Sequence, residues 1–186
     1  IAGALWAAIQ GLLKSRYGAH EVITTIMMNF IAAALVSYWI NNLFGVQATV
    51  HTTAIASSAN LSRLETTFSQ LRGSPVNLSF IISLAAALLL YYIITKTRLG
   101  YELRATGLSK GAAAYAHISV TSRTFVAMII SGGIAGLGGS NFVMGYKHYF
   151  EIGFSDGAGF IGIAVALLGK NHPIGIIFTA IFFGTL

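Results

Sequence analysis

The chain has 186 residues, of which 55% are hydrophobic and only 9% charged, with a net charge of +6 and a mean hydropathy of +0.75. That balance excludes water as the main solvent, and it excludes nucleic-acid binding as the meaning of the basic charge, because the Lys and Arg residues sit in short segments beside apolar runs. With no cysteine, disulfides, thiolate nucleophiles and cysteine metal sites are excluded as well.

The chain opens on an apolar run over residues 1–13, read as the end of a helix that began earlier, and stops in another, so the sequence is expected to be a piece of a longer protein. Lys14, Ser15, Arg16 and Tyr17 form a basic edge expected on the cytoplasmic side. A hydrocarbon core of about 30 Å needs about 20 apolar residues to cross. Residues 22–44, 76–95 and 124–146 meet that requirement and are the predicted membrane spans. Between the first two lies a Ser- and Thr-rich loop, 45–75, with Arg63, Glu65 and Arg72, expected outside and holding a short interfacial helix at 60–71. After the second span, Lys96, Arg98, Arg104 and Lys110 fill a loop over 96–119 that should face the cytoplasm. Lys14 and Arg16 with those four outnumber Arg63, Arg72 and Lys147 on the outer side. The last apolar region differs: residues 159–169 are too short to cross, and Lys170, Asn171, His172 and Pro173 interrupt it before 174–186, which predicts a broken or re-entrant helix pair. The small-residue pattern of 2–13 is similar to that of 175–186, consistent with a transporter built of two repeated halves.

Three groups of residues are candidates for function. In EVITTIMMNF, residues 21–30, Glu21, Thr25 and Asn29 recur at i, i+4 and i+8 and form one polar stripe, either the lining of a solute pathway or a seam of interhelical hydrogen bonds. In SGGIAGLGGS, residues 131–140, Gly132, Gly136 and Ser140 share a face and Ser131, Ala135 and Gly139 the next; this is a helix-packing pattern and not a phosphate loop, since no Gly-Lys-Ser/Thr ending follows. The loop TRLGYELRATGLSKGAAAYAHI, residues 97–118, reads as a short helix at the membrane surface, either a solvated connector or a docking element for a soluble partner. The histidines at 20, 51, 117, 148 and 172 form no close ligand pair, so no metal site is expected, and no nucleophile and base stand at a spacing that would suggest an enzyme.

Those segments, taken with GFIGIAVALLGKNHPIGI at 159–176 and the run at 3–32, resemble in the same order the permease subunits of bacterial ATP-binding-cassette importers for nucleosides and simple sugars, relatives of the ribose and branched-chain amino-acid permeases. The resemblance covers nearly the whole chain. It implies an all-α, polytopic membrane bundle with inverted repeats, multi-pass in the bacterial cell membrane. It implies a coupling segment at 100–118, with Gly107, Ala112 and Ala113 at its motif positions, that docks on a cytoplasmic ATPase. ATP and Mg would then be held by that partner, with no cofactor on this chain, and the other partners would be a second, related permease subunit and an extracytoplasmic solute-binding protein. The chain departs from the family pattern at Ile161 and Gly111, where an acidic residue is common. An ion-coupled carrier or channel for small polar solutes is the alternative, disfavoured by the scarcity of intramembrane charge.

Overall fold

The computed structural model describes residues 1–45, 49, 51–61, 77–155 and 157–185. Among them the chain is helical: α1 (Ala2–Tyr17), α2 (Glu21–Trp39), α3 (Leu78–Lys96), α4 (Arg98–Leu108), α5 (Lys110–Tyr115), α6 (Val120–Ser140), α7 (Ala158–Leu168) and α8 (Pro173–Gly184). No β-strand occurs among the described residues, only isolated bridges between Gly45 and Thr52 and between His51 and Glu151. The expected interfacial helix at 60–71 falls, apart from its first two residues, outside the described residues, as do Arg63, Glu65 and Arg72.

Among the described residues three segments are long and apolar enough to cross a membrane: Glu21–Phe44 with 24 residues, Leu78–Lys96 with 19 and Val120–Lys147 with 28. They fall where hydropathy placed them. The first and third run past the ends of α2 and α6 through a widened π-helical turn, Ile40–Phe44 and Asn141–Lys147. Large apolar side chains lie exposed along these helices, most of all on α2 and α3, and Ala7, Ile40, Ala113 and Val165 are the buried hydrophobic residues among those described. In water such an exposed apolar surface would drive association. In a bilayer it is the surface that lipid tails and neighbouring helices cover.

Two compact units result. In the first, residues 1–60 and 102–152, the principal contact is α1 against α6. Glycine makes it possible. A Cβ added at Gly3 would overlap the carbonyl oxygen of Gly132 and stand 3.2 Å from the backbone of Gly136, and one added at Gly132 would overlap Ala7. Farther along, a Cβ at Gly11 would sit 3.1 Å from both Phe125 and Met128. Gly139, by contrast, faces open space. α1 ends at Gly18, whose φ of 65° is the left-handed conformation that closes a helix, and Ala19 N–H reaches back to the Leu13 carbonyl. Beyond α6 the segment 51–55 is strapped to residues 148–151: Thr52 N–H donates to Phe150 O at 2.8 Å, Ile55 N–H to His148 O at 2.8 Å, and Phe150 N–H to the Thr52 hydroxyl at 3.1 Å.

In the second unit, residues 61–101 and 153–186, α8 packs against both α3 and α7. At 11 and 12 residues, α7 and α8 are about 16 and 18 Å long, too short to span a core of about 30 Å. This is the interrupted pair expected from Lys170 to Pro173. Its turn puts Lys170 and Asn171 in the left-handed region at φ 54° and 53°, with Pro173 starting α8. Thr179 ties the two helices by donating to Val165 O at 3.0 Å, and the Tyr91 ring meets His172 edge-on at 5.7 Å.

Enlarging a side chain at the α1–α6 contact should therefore cost stability. Gly132→Leu is expected to destabilise the detergent-solubilised protein by about 1–3 kcal/mol or more. Gly139→Ala should be neutral or stabilising by up to about 1 kcal/mol. Thermal unfolding of the two variants checks the contrast.

Candidate functional site

The polar stripe lies on α2, a helix with no buried residue. Its three members have different surroundings. The Glu21 carboxylate stands in the first turn, where the helix dipole favours an anion, and its Oε2 is 3.1 Å from Lys14 Nζ across the α1–α2 turn. The Thr25 hydroxyl donates back to the Glu21 carbonyl at 2.8 Å and the Val22 carbonyl at 3.0 Å, leaving its lone pairs available to an incoming donor. Asn29 is exposed in the middle of the span, and its amide can both donate and accept. Thr25 and Asn29 together therefore make a hydrogen-bonding face within a membrane-length helix.

The segment after α3 is built by short-range chemistry. Thr97 leaves the helical conformation, donates its hydroxyl to Ile93 O at 2.6 Å and accepts from Gly100 N–H at 3.2 Å, so one residue closes α3 and opens α4. Gly100 is buried, and a Cβ there would overlap the Ile93 and Ile94 carbonyls. Ser109 then caps α5, accepting from Ala112 N–H at 3.3 Å. The end of α5 is a paired closure in which His117, at φ 57°, sends its N–H to Ala114 O and Ile118 sends its N–H to Ala113 O.

This segment has two faces. Toward the protein lie Glu102, Thr106 and Ala113, exposed by only 5%, 7% and 1%. Outward lie Gly107, where an added Cβ would meet open space, exposed Ala112, and the large side chains of Leu108 and Tyr115, exposed by 89% and 91%. The two alanines of the motif thus part company: Ala113 is buried on α5, which packs on α6, and Ala112 belongs to the outer rim. Glu102 lies beside Arg123 of α6, with Oε2 2.5 Å from Nε, a contact of charge and proximity without an aligned N–H···O bond. Sequence reasoning missed this pair and the exposed Leu108 and Tyr115. The available signal was an Arg abutting a predicted span with an acidic residue on the far side of the Ala-rich run.

Among the described residues no three His, Asp or Glu side chains come together as a metal-ligand group. A third ion pair joins Lys147, at the end of the third span, to Glu151, four residues on.

Because Glu21 is well exposed and its ion pair lies at the surface, Glu21→Gln is expected to change unfolding free energy by less than about 1 kcal/mol. Denaturant titration of the purified protein provides the check.

The pattern of the family described as branched-chain amino acid transport system / permease component matches residues 1–186. Among individual relatives, the guanosine ABC transporter permease protein NupP of Bacillus subtilis is 40% identical over 190 residues, covering 100% of this chain and 53% of the relative. The nucleoside ABC transporter permease protein NupB of Lactococcus lactis is 38% identical, covering 99% of this chain and 52% of its own. The glucose ABC transporter permease protein TsgB13 of Haloferax volcanii is 29% identical, covering 100% and 50%. The chain thus spans about half the length of the curated relatives it matches. No solved structure matches it.

Proposed function

We propose, because the chain belongs to the family of branched-chain amino acid transport system permease components, that it is part of the membrane-spanning subunit of an ATP-driven importer for nucleosides. The observation that carries the substrate class is that the relatives reported at 40% and 38% identity are guanosine and nucleoside permeases, against 29% for the glucose permease. The multi-pass character fits: three segments have membrane-spanning length and composition.

In this reading α4 and α5 form the coupling segment on the cytoplasmic face. Its outer rim of Gly107, Leu108, Ala112 and Tyr115 offers a partner ATPase both a close backbone approach and two large apolar anchors, on a stretch that belongs to no span. ATP and Mg are held by that partner, and this chain binds no cofactor of its own. Closure of the ATPase displaces the rim, α6 and α1 follow, and a polar path opens past Thr25 and Asn29 with Glu21 at its mouth. A solute-binding protein delivers the nucleoside from outside, where the 45–75 loop lies, and a second, related permease subunit covers apolar surface left open on this one. The cell membrane is the compartment.

Reconstitution tests the reading. Full-length permease, its ATPase partner and its binding protein in proteoliposomes should accumulate nucleosides only with ATP on the ATPase side. Uptake that ignores ATP and collapses when an ion gradient is dissipated would instead mark an ion-coupled carrier. Within that assay Asn29→Leu is expected to lower nucleoside uptake about 2- to 10-fold, the worth of one neutral hydrogen bond. Ala112→Arg, on the outer rim, should abolish uptake and recruitment of the ATPase while leaving the permease in the membrane at normal amount, as judged by co-purification and immunoblotting.

A further inference from the structure

An Arg in the opening turns of a helix is badly placed. Arg123 is three residues past Val120, the first residue of α6, where the helix dipole is positive and disfavours a cation. It also lies within the Val120–Lys147 span, where ionisable groups are costly and functional by default. α6 has no acidic residue in its first turn and no side-chain cap. The carboxylate that meets Arg123 comes from α4, and Glu102 is itself buried, with 7% of its side chain exposed. Glu102 thus meets the guanidinium of an Arg that stands in the opening turns of α6. Thr106, also buried, holds the same turn of α4 by donating its hydroxyl to the Glu102 carbonyl at 2.8 Å.

The α4–α5 segment is therefore fixed to α6 at two separated points, the Glu102–Arg123 ion pair and the packing of α5 on α6. One point alone would let the segment roll when its outer rim is pushed. Two points oblige α6 to move with it, and α6 carries α1 through the Gly3–Gly132 contact. An ion pair suits the task because the buried Glu102 carboxylate, which water scarcely reaches, is held beside the half-exposed Arg123 guanidinium, and parting them weakens the compensation of a buried charge.

We infer that Glu102 and Arg123 are a positioning pair that passes displacement of the α4–α5 segment to α6, so that solute movement depends on the pair although neither residue touches solute or ATPase; this rests on the reading of α4–α5 as the docking segment. The experiment uses the complete permease–ATPase–binding-protein complex in proteoliposomes, comparing wild type, Glu102→Gln, Arg123→Gln and the exchange Glu102→Arg with Arg123→Glu. ATPase co-purification, ATP hydrolysis and nucleoside uptake are measured on each. In the single variants, assembly and hydrolysis should persist with uptake per ATP lowered by a factor of about 2 to 30, the range for a mutation along a coupling route. In the exchange, uptake per ATP should return. Single variants that transport as wild type, an exchange that fails to restore uptake, or a parallel loss of assembly, hydrolysis and uptake would each overturn the inference. If the wild-type complex takes up nucleoside without ATP, the docking reading itself fails and the pair's role falls with it.

Discussion

Everything in this chain follows from the absence of water in the hydrocarbon core. A peptide N–H or C=O left unpaired there costs several kcal/mol, so each crossing segment has to satisfy its own backbone, and a helix does so. Once that is met, burying side chains from water no longer drives association, because a lipid tail is as apolar as leucine. Few apolar side chains are buried among the described residues as a result. What holds the helices together is closeness of backbones, as between Gly3 and Gly132, and polar ties such as Thr179 to Val165 O and Glu102 to Arg123.

The interruptions are governed by the same constraint. At Thr97 the helix breaks because the side chain supplies an acceptor for the next helix's first free N–H groups while its hydroxyl satisfies a carbonyl of the last. At 170–173 the break is made by two residues in the left-handed region followed by a proline, and Thr179 adds a second hydrogen bond to the Val165 carbonyl, which already accepts from Gly169 N–H at the end of α7. In the 51–55 strap, extended backbone is paired with residues 148–150. At these three places irregular backbone comes with its partners supplied.

How much of this was legible in the sequence depends on the range of the interaction. The spans were legible because hydropathy is a local sum, and the structure puts them within a few residues of 22–44, 76–95 and 124–146. The short pair α7 and α8 was legible because Lys170 to Pro173 cannot continue an apolar helix. The small-residue face of α6 was legible as a surface, but not its partner, since nothing in SGGIAGLGGS says that Gly3 and Ala7 are the residues that approach it. The π-helical ends were not legible, because one extra residue in a turn changes neither composition nor period enough to register. Glu102 and Arg123 escaped for a third reason. Each reads as an ordinary charge at a membrane edge, and only the fold, by turning the chain back at His117, makes them neighbours.

The contact between α1 and α6 has a consequence for inheritance. In an ordinary core, a substitution that adds volume can be relieved by a second one that removes volume from a neighbour, so such sites drift in compensated pairs. Here the atom that a larger residue at Gly3 would strike is the carbonyl oxygen of Gly132, and next to it the backbone of Gly136. Glycine has nothing left to remove. An allele enlarged at Gly3 would have no suppressor of the size-reducing kind, and its revertants should restore glycine itself or shift a whole helix.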